Sequence, residues 1–154
     1  MPLYLITPLY TAIFALIVIA VIPKEEIKRL AVYGIFFGAL LNILTLLIGS
    51  LTGKYCFINF EPLGISFIPF FPPISWTLFF MLYFYFMPKK PWLYIYAASG
   101  IFYSILFGNM ITNLGIFKLS HRLLLPLIAF TIWFSIATWG YLRLTSGKLR
   151  KPEI

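Results

Sequence analysis

Five apolar runs, each about as long as a bilayer is thick when helical, alternate with short segments that hold every charged side chain of the chain. The runs cover residues 3–22, 31–51, 67–87, 92–113 and 123–142. A water-soluble fold would have to hide all five inside one core. Here 62% of residues are hydrophobic and 10% charged, against about 45–50% and about 25% in soluble domains. A chain of 154 residues cannot bury that much apolar surface by itself. The sequence therefore reads as all-α: a polytopic transmembrane helical bundle of five spans, forming a single transmembrane domain over 1–154.

The third run is the irregular one. Pro69, Pro72 and Pro73 interrupt its first part, and proline inside a helix removes a hydrogen bond and clashes with the preceding turn. The regular helix is expected to begin near Pro72 or Pro73 and to run to Met87, about 22 Å and short for a crossing. The chain before it would enter the membrane edge as irregular backbone, which protein or water must cover.

Charge gives the orientation. An alternating five-span chain puts Lys24, Lys28, Arg29, Lys89, Lys90, Arg143, Lys148, Arg150 and Lys151 on one side, and Lys54, Lys118 and Arg122 on the other. Loops rich in Lys and Arg stay cytoplasmic, so the N-terminus is expected outside and the basic tail 143–154 inside. The net charge of +8 lies between apolar runs, where it meets anionic headgroups. Membrane lipids, not nucleic acid, are the partners this implies. The first run lacks a basic segment ahead of it and a small-x-small motif before Pro23, and is read as a retained span, not a signal peptide. With Cys56 as the only cysteine, an intrachain disulfide and a cysteine-based metal site are both excluded.

Two stripes of small residues organise the spans. Gly34, Gly38, Asn42, Thr45 and Gly49 fall on one face of the second; Gly100, Ser104, Gly108 and Thr112 fall on one face of the fourth. Such stripes let helix backbones approach closely in lipid. They are expected to pack on each other, on neighbouring spans or across a homo-oligomer. Asn42 lies near mid-span, where an amide is costly unless bonded; its simplest partner is a group on a neighbouring helix, and the alternative is a ligand.

Other polar residues gather at the expected outer face. Asn109 and Asn113 share a helical face, either as a polar pocket or as hydrogen bonds at a helix end. Glu61 is the one carboxylate on that side, with Lys118, His121 and Arg122 as its available partners. An interfacial ion pair, a ligand or ion site, and acid–base catalysis are the three readings of this group. The dense run Phe79–Phe86 and the four tryptophans read first as lipid-facing surface and interfacial belts, with a pocket for an isoprenoid, pigment or lipid as the alternative.

Hydrolase, zincin and nucleotide-binding motifs are missing, as are paired aspartates. One histidine cannot supply two axial haem ligands, and no ionisable side chain sits at mid-membrane as a proton relay needs. Neither a cofactor, a metal nor a catalytic residue is assigned, and an odd number of spans argues against a duplicated transporter half.

Three features carry a resemblance: the stretch Ile68-Pro69-Phe70-Phe71-Pro72-Pro73, the turn Pro88-Lys89-Lys90-Pro91-Trp92, and the Asn-rich end of the fourth span before a basic loop. In these the chain resembles small uncharacterised multi-span membrane proteins of Gram-positive, often spore-forming bacteria. The resemblance implies the overall plan and a prokaryotic plasma membrane, and no activity. The expected role is non-catalytic: a membrane subunit of a larger complex, or a bundle holding a lipophilic ligand. A small transporter with a polar outer vestibule, and an intramembrane enzyme acting on lipid or isoprenoid, are the competing classes.

Overall fold

Proline and glycine set the helix boundaries. The computed structural model describes residues 2–146, and among these the chain forms five helices: α1 (Leu3–Val21), α2 (Lys24–Thr52), α3 (Phe71–Tyr85), α4 (Trp92–Asn113) and α5 (Leu124–Ser146). Pro23 separates α1 from α2, and Gly53 ends α2 in the left-handed conformation at φ 68°. Pro72 and Pro73 occupy the first turn of α3, where their missing N–H groups cost nothing. Lys148, Arg150 and Lys151 of the basic tail lie outside the described residues.

α2 starts earlier than the apolar run within it. The charged segment between the first two apolar runs is helical from Lys24 onward. Glu25 and Glu26 stand in its first turn, favourable at a helix N-terminus, and Glu26 pairs with Arg29 three residues on. That hydrogen bond holds the Arg29 guanidinium above its usual pKa, firmly charged.

Four helices (α1, α2, α4 and α5) are long and apolar enough to cross a membrane, at 19, 29, 22 and 23 residues. α3 is the short one, at 15 residues. It is also the centre of the fold. Phe80, Met81, Tyr83 and Phe84 are buried while Tyr85 and Phe86 are exposed, so most of the aromatic run is core and only its end has the exposed surface expected from its composition. The reason is positional: α1 and α2 flank α3, and aromatic side chains of α4 and α5 close over it. Tyr83 stacks on Tyr96 of α4 at 4.9 Å, and Phe84 on Tyr141 of α5 at 4.2 Å.

The α2 stripe is what admits α3. A Cβ on Gly38 would lie 2.6 Å from the Trp76 carbonyl oxygen, and one on Gly34 would lie 2.7 Å from that of Thr77. Further along, Gly49 receives the ring of Tyr55. On α4, Gly100 receives Phe134 of α5. The hydroxyls of Ser104 and Thr112 donate to the carbonyls of Gly100 and Gly108 within their own helix, at 2.8 and 2.7 Å.

The two loops at the opposite end pair with each other. Strand β1 (Tyr55–Phe57) runs antiparallel to β4 (Phe117–Leu119), with Cys56 opposite Lys118. Between them in sequence, β2 (Gly64–Ile65) and β3 (Ile68–Pro69) form a tight hairpin that leads into α3. This ribbon end of the bundle carries Lys54, Lys118 and Arg122. The other end carries Lys24, Lys28, Arg29, Lys89, Lys90 and Arg143, and there Arg29 donates to the Tyr141 hydroxyl at 3.2 Å. Most of the exterior between the ends is apolar: Leu16, Ile19, Val32, Leu51 and Tyr103 are each exposed by two thirds or more.

Candidate functional site

Midway along α2, over Ile35–Leu40, the helix widens into a π-helical turn. Such a turn replaces the usual bonds with i→i+5 ones and occurs frequently at functional sites. The indole N–H of Trp133 on α5 donates to the Phe37 carbonyl within it, at 2.7 Å and fully buried. Gly140 makes room for the Phe37 ring, which a Cβ would meet at 2.6 Å. α2 and α5 are thereby locked together up to this level.

Past the wide turn, the same two helices leave a void between them. Its floor is Trp76 and Trp133; its roof is the β1–β4 ribbon, with Tyr55, Phe57 and Phe117. Phe107, Gly108 and Ile111 of α4 form the back, and Leu125, Pro126 and Ala129 of α5 the side. The cavity measures about 80 Å³ and is half open. Gly108 keeps it empty: a Cβ there would meet nothing within 4 Å.

Asn42 lines this cavity. Its residue is 4% exposed and its Oδ1 has no hydrogen-bond partner. Thr45 Oγ1 donates at 2.8 Å to the Asn42 backbone carbonyl, which leaves the side-chain oxygen unserved. The neighbouring-helix partner that the sequence led us to expect is absent at this atom. A buried amide oxygen without a donor costs about 1–3 kcal/mol, and this one is sealed within the protein, out of reach of a water-sized group. The rest of the lining is aromatic or aliphatic apart from Thr45 and Tyr55, and burial pushes the Tyr55 phenol above its usual pKa, so it stays neutral. The site bears no charge. It fits an uncharged, largely apolar molecule.

A second cavity, about 220 Å³, lies on the far side of Trp76 and Phe107, which wall both. Ser75 and Ser104 face it with hydroxyls already donating to the carbonyls of Pro72 and Gly100, at 2.9 and 2.8 Å.

The polar residues at the ribbon end divide into separate groups. Asn109 Nδ2 donates to the carbonyls of Ile105 and Arg122, at 3.0 and 2.9 Å, and Arg122 donates to Asn113 Oδ1. These three come together, and their bonds tie the end of the 114–122 loop to α4. Glu61 sits elsewhere, in an open groove with Leu3, Tyr4, Asn59 and Ser66. Among the described residues the only ion pair is Glu26–Arg29, so Glu61 is paired with neither His121, Arg122 nor Lys118. His121 is exposed. No group of three or more His, Cys, Asp or Glu that could hold a metal occurs among the described residues.

Two residues of the cavity, Trp76 and Trp133, had been read with the interfacial belts. Trp92 and Trp139 are exposed, the latter with Arg143 5.3 Å over its ring, as a belt residue would be. Trp133 falls mid-run, remote from either end of its span. That position is the signal that separates it from a belt tryptophan. Compared with known proteins, the chain matches no family model, no curated protein and no solved structure.

Proposed function

We propose that this chain is an integral membrane protein that crosses a prokaryotic plasma membrane five times and holds a small lipophilic molecule, without catalysing a reaction on it. The observation that carries this reading is the half-open, almost wholly apolar cavity walled by aromatic side chains between α2, α4 and α5. Concave apolar sites of this kind are the ordinary form of a small-molecule site.

The membrane setting rests on the four long apolar helices and the apolar exterior. In this setting α3 is the fifth crossing. Its 15 residues reach about 22 Å, and the β2–β3 hairpin completes the passage under cover of its neighbours, as irregular backbone at that depth requires. The ribbon end, poorer in Lys and Arg, faces outward, and the basic end faces the cytoplasm.

The site geometry favours holding over transport or catalysis. Asn109 and Asn113, which a polar vestibule would need, are engaged in fastening a loop. Glu61 and His121, which an acid–base pair would need, share no hydrogen bond or ion pair.

The reading is tested by native mass spectrometry and solvent extraction of gently solubilised protein. A stoichiometric lipophilic compound is expected; a bare protein would count against it. Orientation has its own probe in Cys56, which lies on β1 at the ribbon end. A membrane-impermeant maleimide is expected to label it in intact cells, whereas labelling only after lysis would invert the topology.

A further inference from the structure

The two cavities on either side of Trp76 and Phe107 bear on the shape of the ligand. Sites for small molecules usually begin at about 300 Å³, and neither cavity reaches that alone. At about 80 and about 220 Å³ they come to about 300 Å³ as one.

The partition between them has a fixed half and a movable half. Trp76 is held among rings, with Trp133 at 4.6 Å, Phe79 at 5.3 Å and Phe130 at 5.7 Å. Among the described residues one ring packs on Phe107, that of Tyr10, edge-on at 5.2 Å. Phe107 is half-buried and borders unfilled space on both sides. Close packing is what pins interior side chains. A ring between two voids lacks that restraint and has room to turn.

Both cavities open on apolar surface, on different sides of the bundle. Thr45 on α2 and Ala129 on α5 are half-buried at the mouth of the narrower one. Phe14 on α1 is half-buried and Tyr103 on α4 exposed at the mouth of the wider. The exposed neighbours of this second mouth, Ile13, Ile17, Phe102 and Leu106, are all apolar.

The walls then select what enters. Neither cavity is lined by a charged side chain, and the hydroxyls of Thr45, Ser75 and Ser104 already donate to backbone carbonyls. An ionised head would lose its hydration here without compensation, so hydrocarbon is what fits. The narrower cavity, at about 80 Å³, is smaller than the engineered one of about 150 Å³ that accepts benzene. A ring is too wide for it, and a methyl branch adds girth at the partition. An unbranched chain is slim enough for both.

Resting on the ligand-holding reading above, we propose that the two cavities form one site for an unbranched acyl chain of a bilayer glycerolipid. The chain enters between α1 and α4 and passes between Trp76 and Phe107. Its terminal carbons rest in the narrower cavity, and its headgroup stays at the membrane surface. Binding is non-covalent and leaves the lipid unchanged.

The test uses the full chain in nanodiscs of diphytanoyl phosphatidylcholine, whose chains carry methyl branches. A small fraction of palmitoyl phosphatidylcholine is added, bearing a photoactivatable diazirine at mid-chain in one probe and at the chain terminus in a second. Crosslinks are mapped by mass spectrometry. Saturable labelling is expected around Phe14 and Tyr103 from the mid-chain probe, and around Leu46 and Ala129 from the terminal one. In a host of unbranched dimyristoyl phosphatidylcholine both should fall at least about tenfold. In Phe107→Trp, which thickens the partition, the terminal probe should label the wider cavity instead.

Each failure has its own meaning. Equal labelling in the two hosts overturns the preference for an unbranched chain. Both probes in a single cavity overturn passage between Trp76 and Phe107, and an unmoved terminal probe in Phe107→Trp overturns Phe107 as the divider. None of these touches the ligand-holding reading. Absence of saturable labelling overturns the acyl chain alone if solvent extraction still yields a stoichiometric compound, and overturns the ligand-holding reading with it if the protein is bare. The comparison of probes and hosts uses the unaltered protein and needs no variant to fold.

Discussion

In the part of the bundle nearer the basic end, a Cβ on Gly34, Gly38, Gly100 or Gly140 would strike a neighbour at 2.6–2.7 Å; on Gly108, nearer the ribbon, it would meet nothing within 4 Å, although Gly49, at the ribbon itself, again receives the Tyr55 ring. Gly100 and Gly108 belong to one stripe on one helix, about two turns apart. The same residue type serves close packing at one level and an open space at the other. Asn42 and Phe37 repeat the contrast on α2: the Phe37 carbonyl receives the Trp133 indole, whereas the Asn42 amide oxygen receives nothing. A bundle that packs tightly at one level has the means to do so at the next. The void locally breaks the packing and polar-pairing rules, a pattern that functional sites often show.

The largest expected effect breaks the packed level. Gly38→Leu drives a side chain into the backbone of α3, where a Cβ already meets the Trp76 carbonyl carbon at 2.7 Å and the Thr77 nitrogen at 2.8 Å. Backbone cannot rotate aside as a side chain can. A loss on the order of 3 kcal/mol or more is expected, read as a lower midpoint of thermal unfolding in detergent. A variant as stable as the wild type would mean that α2 does not seat α3.

The next effect has the opposite sign. Asn42→Leu removes the unserved amide and places a side chain of similar volume on an apolar wall. With no ligand present, the protein should gain about 1–3 kcal/mol, read as a higher unfolding midpoint after delipidation. A destabilised variant would show that the amide has a structural partner after all, and would erase the contrast with Phe37. Stabilisation together with weaker ligand retention would sharpen it, since binding sites commonly carry such a cost.

How much of this could be read from the sequence differs by level. The stripe on α2 marked a close approach at Gly34 and Gly38, because only missing side chains permit one. It could not say what approached, since small residues carry no information about their partner. The buried part of the Phe79–Phe86 run was misread for a related reason: in a chain rich in apolar residues throughout, composition does not separate the central helix from the peripheral ones. The i, i+4 spacing of Asn109 and Asn113 did foretell a shared face, and both residues now hold Arg122. The β1–β4 ribbon joins segments some sixty residues apart with only three residues in each strand, too short for an alternating pattern to register. The cavity was least legible. It exists because of groups that do not meet, and a sequence records the groups alone.

The smallest expected effect discriminates most finely between the two levels. Gly100→Ala and Gly108→Ala make the same chemical change on the same face of α4. Each gains the intrinsic helical advantage of alanine, about 1 kcal/mol in water. At Gly100 the added methyl meets the Phe134 ring at 2.6 Å, and that ring is itself buried against Phe80 at 5.2 Å, so the gain is lost to overpacking and the net change is destabilising. At Gly108 the methyl enters the void and the gain remains, up to about 1 kcal/mol. Paired unfolding curves should therefore move in opposite directions. If both variants fall together, the α4 stripe is packed along its whole length and the cavity is closed in the folded protein; if both rise, the contact of Gly100 with α5 is looser than 2.6 Å implies. Only divergence preserves the distinction between a seam and a site.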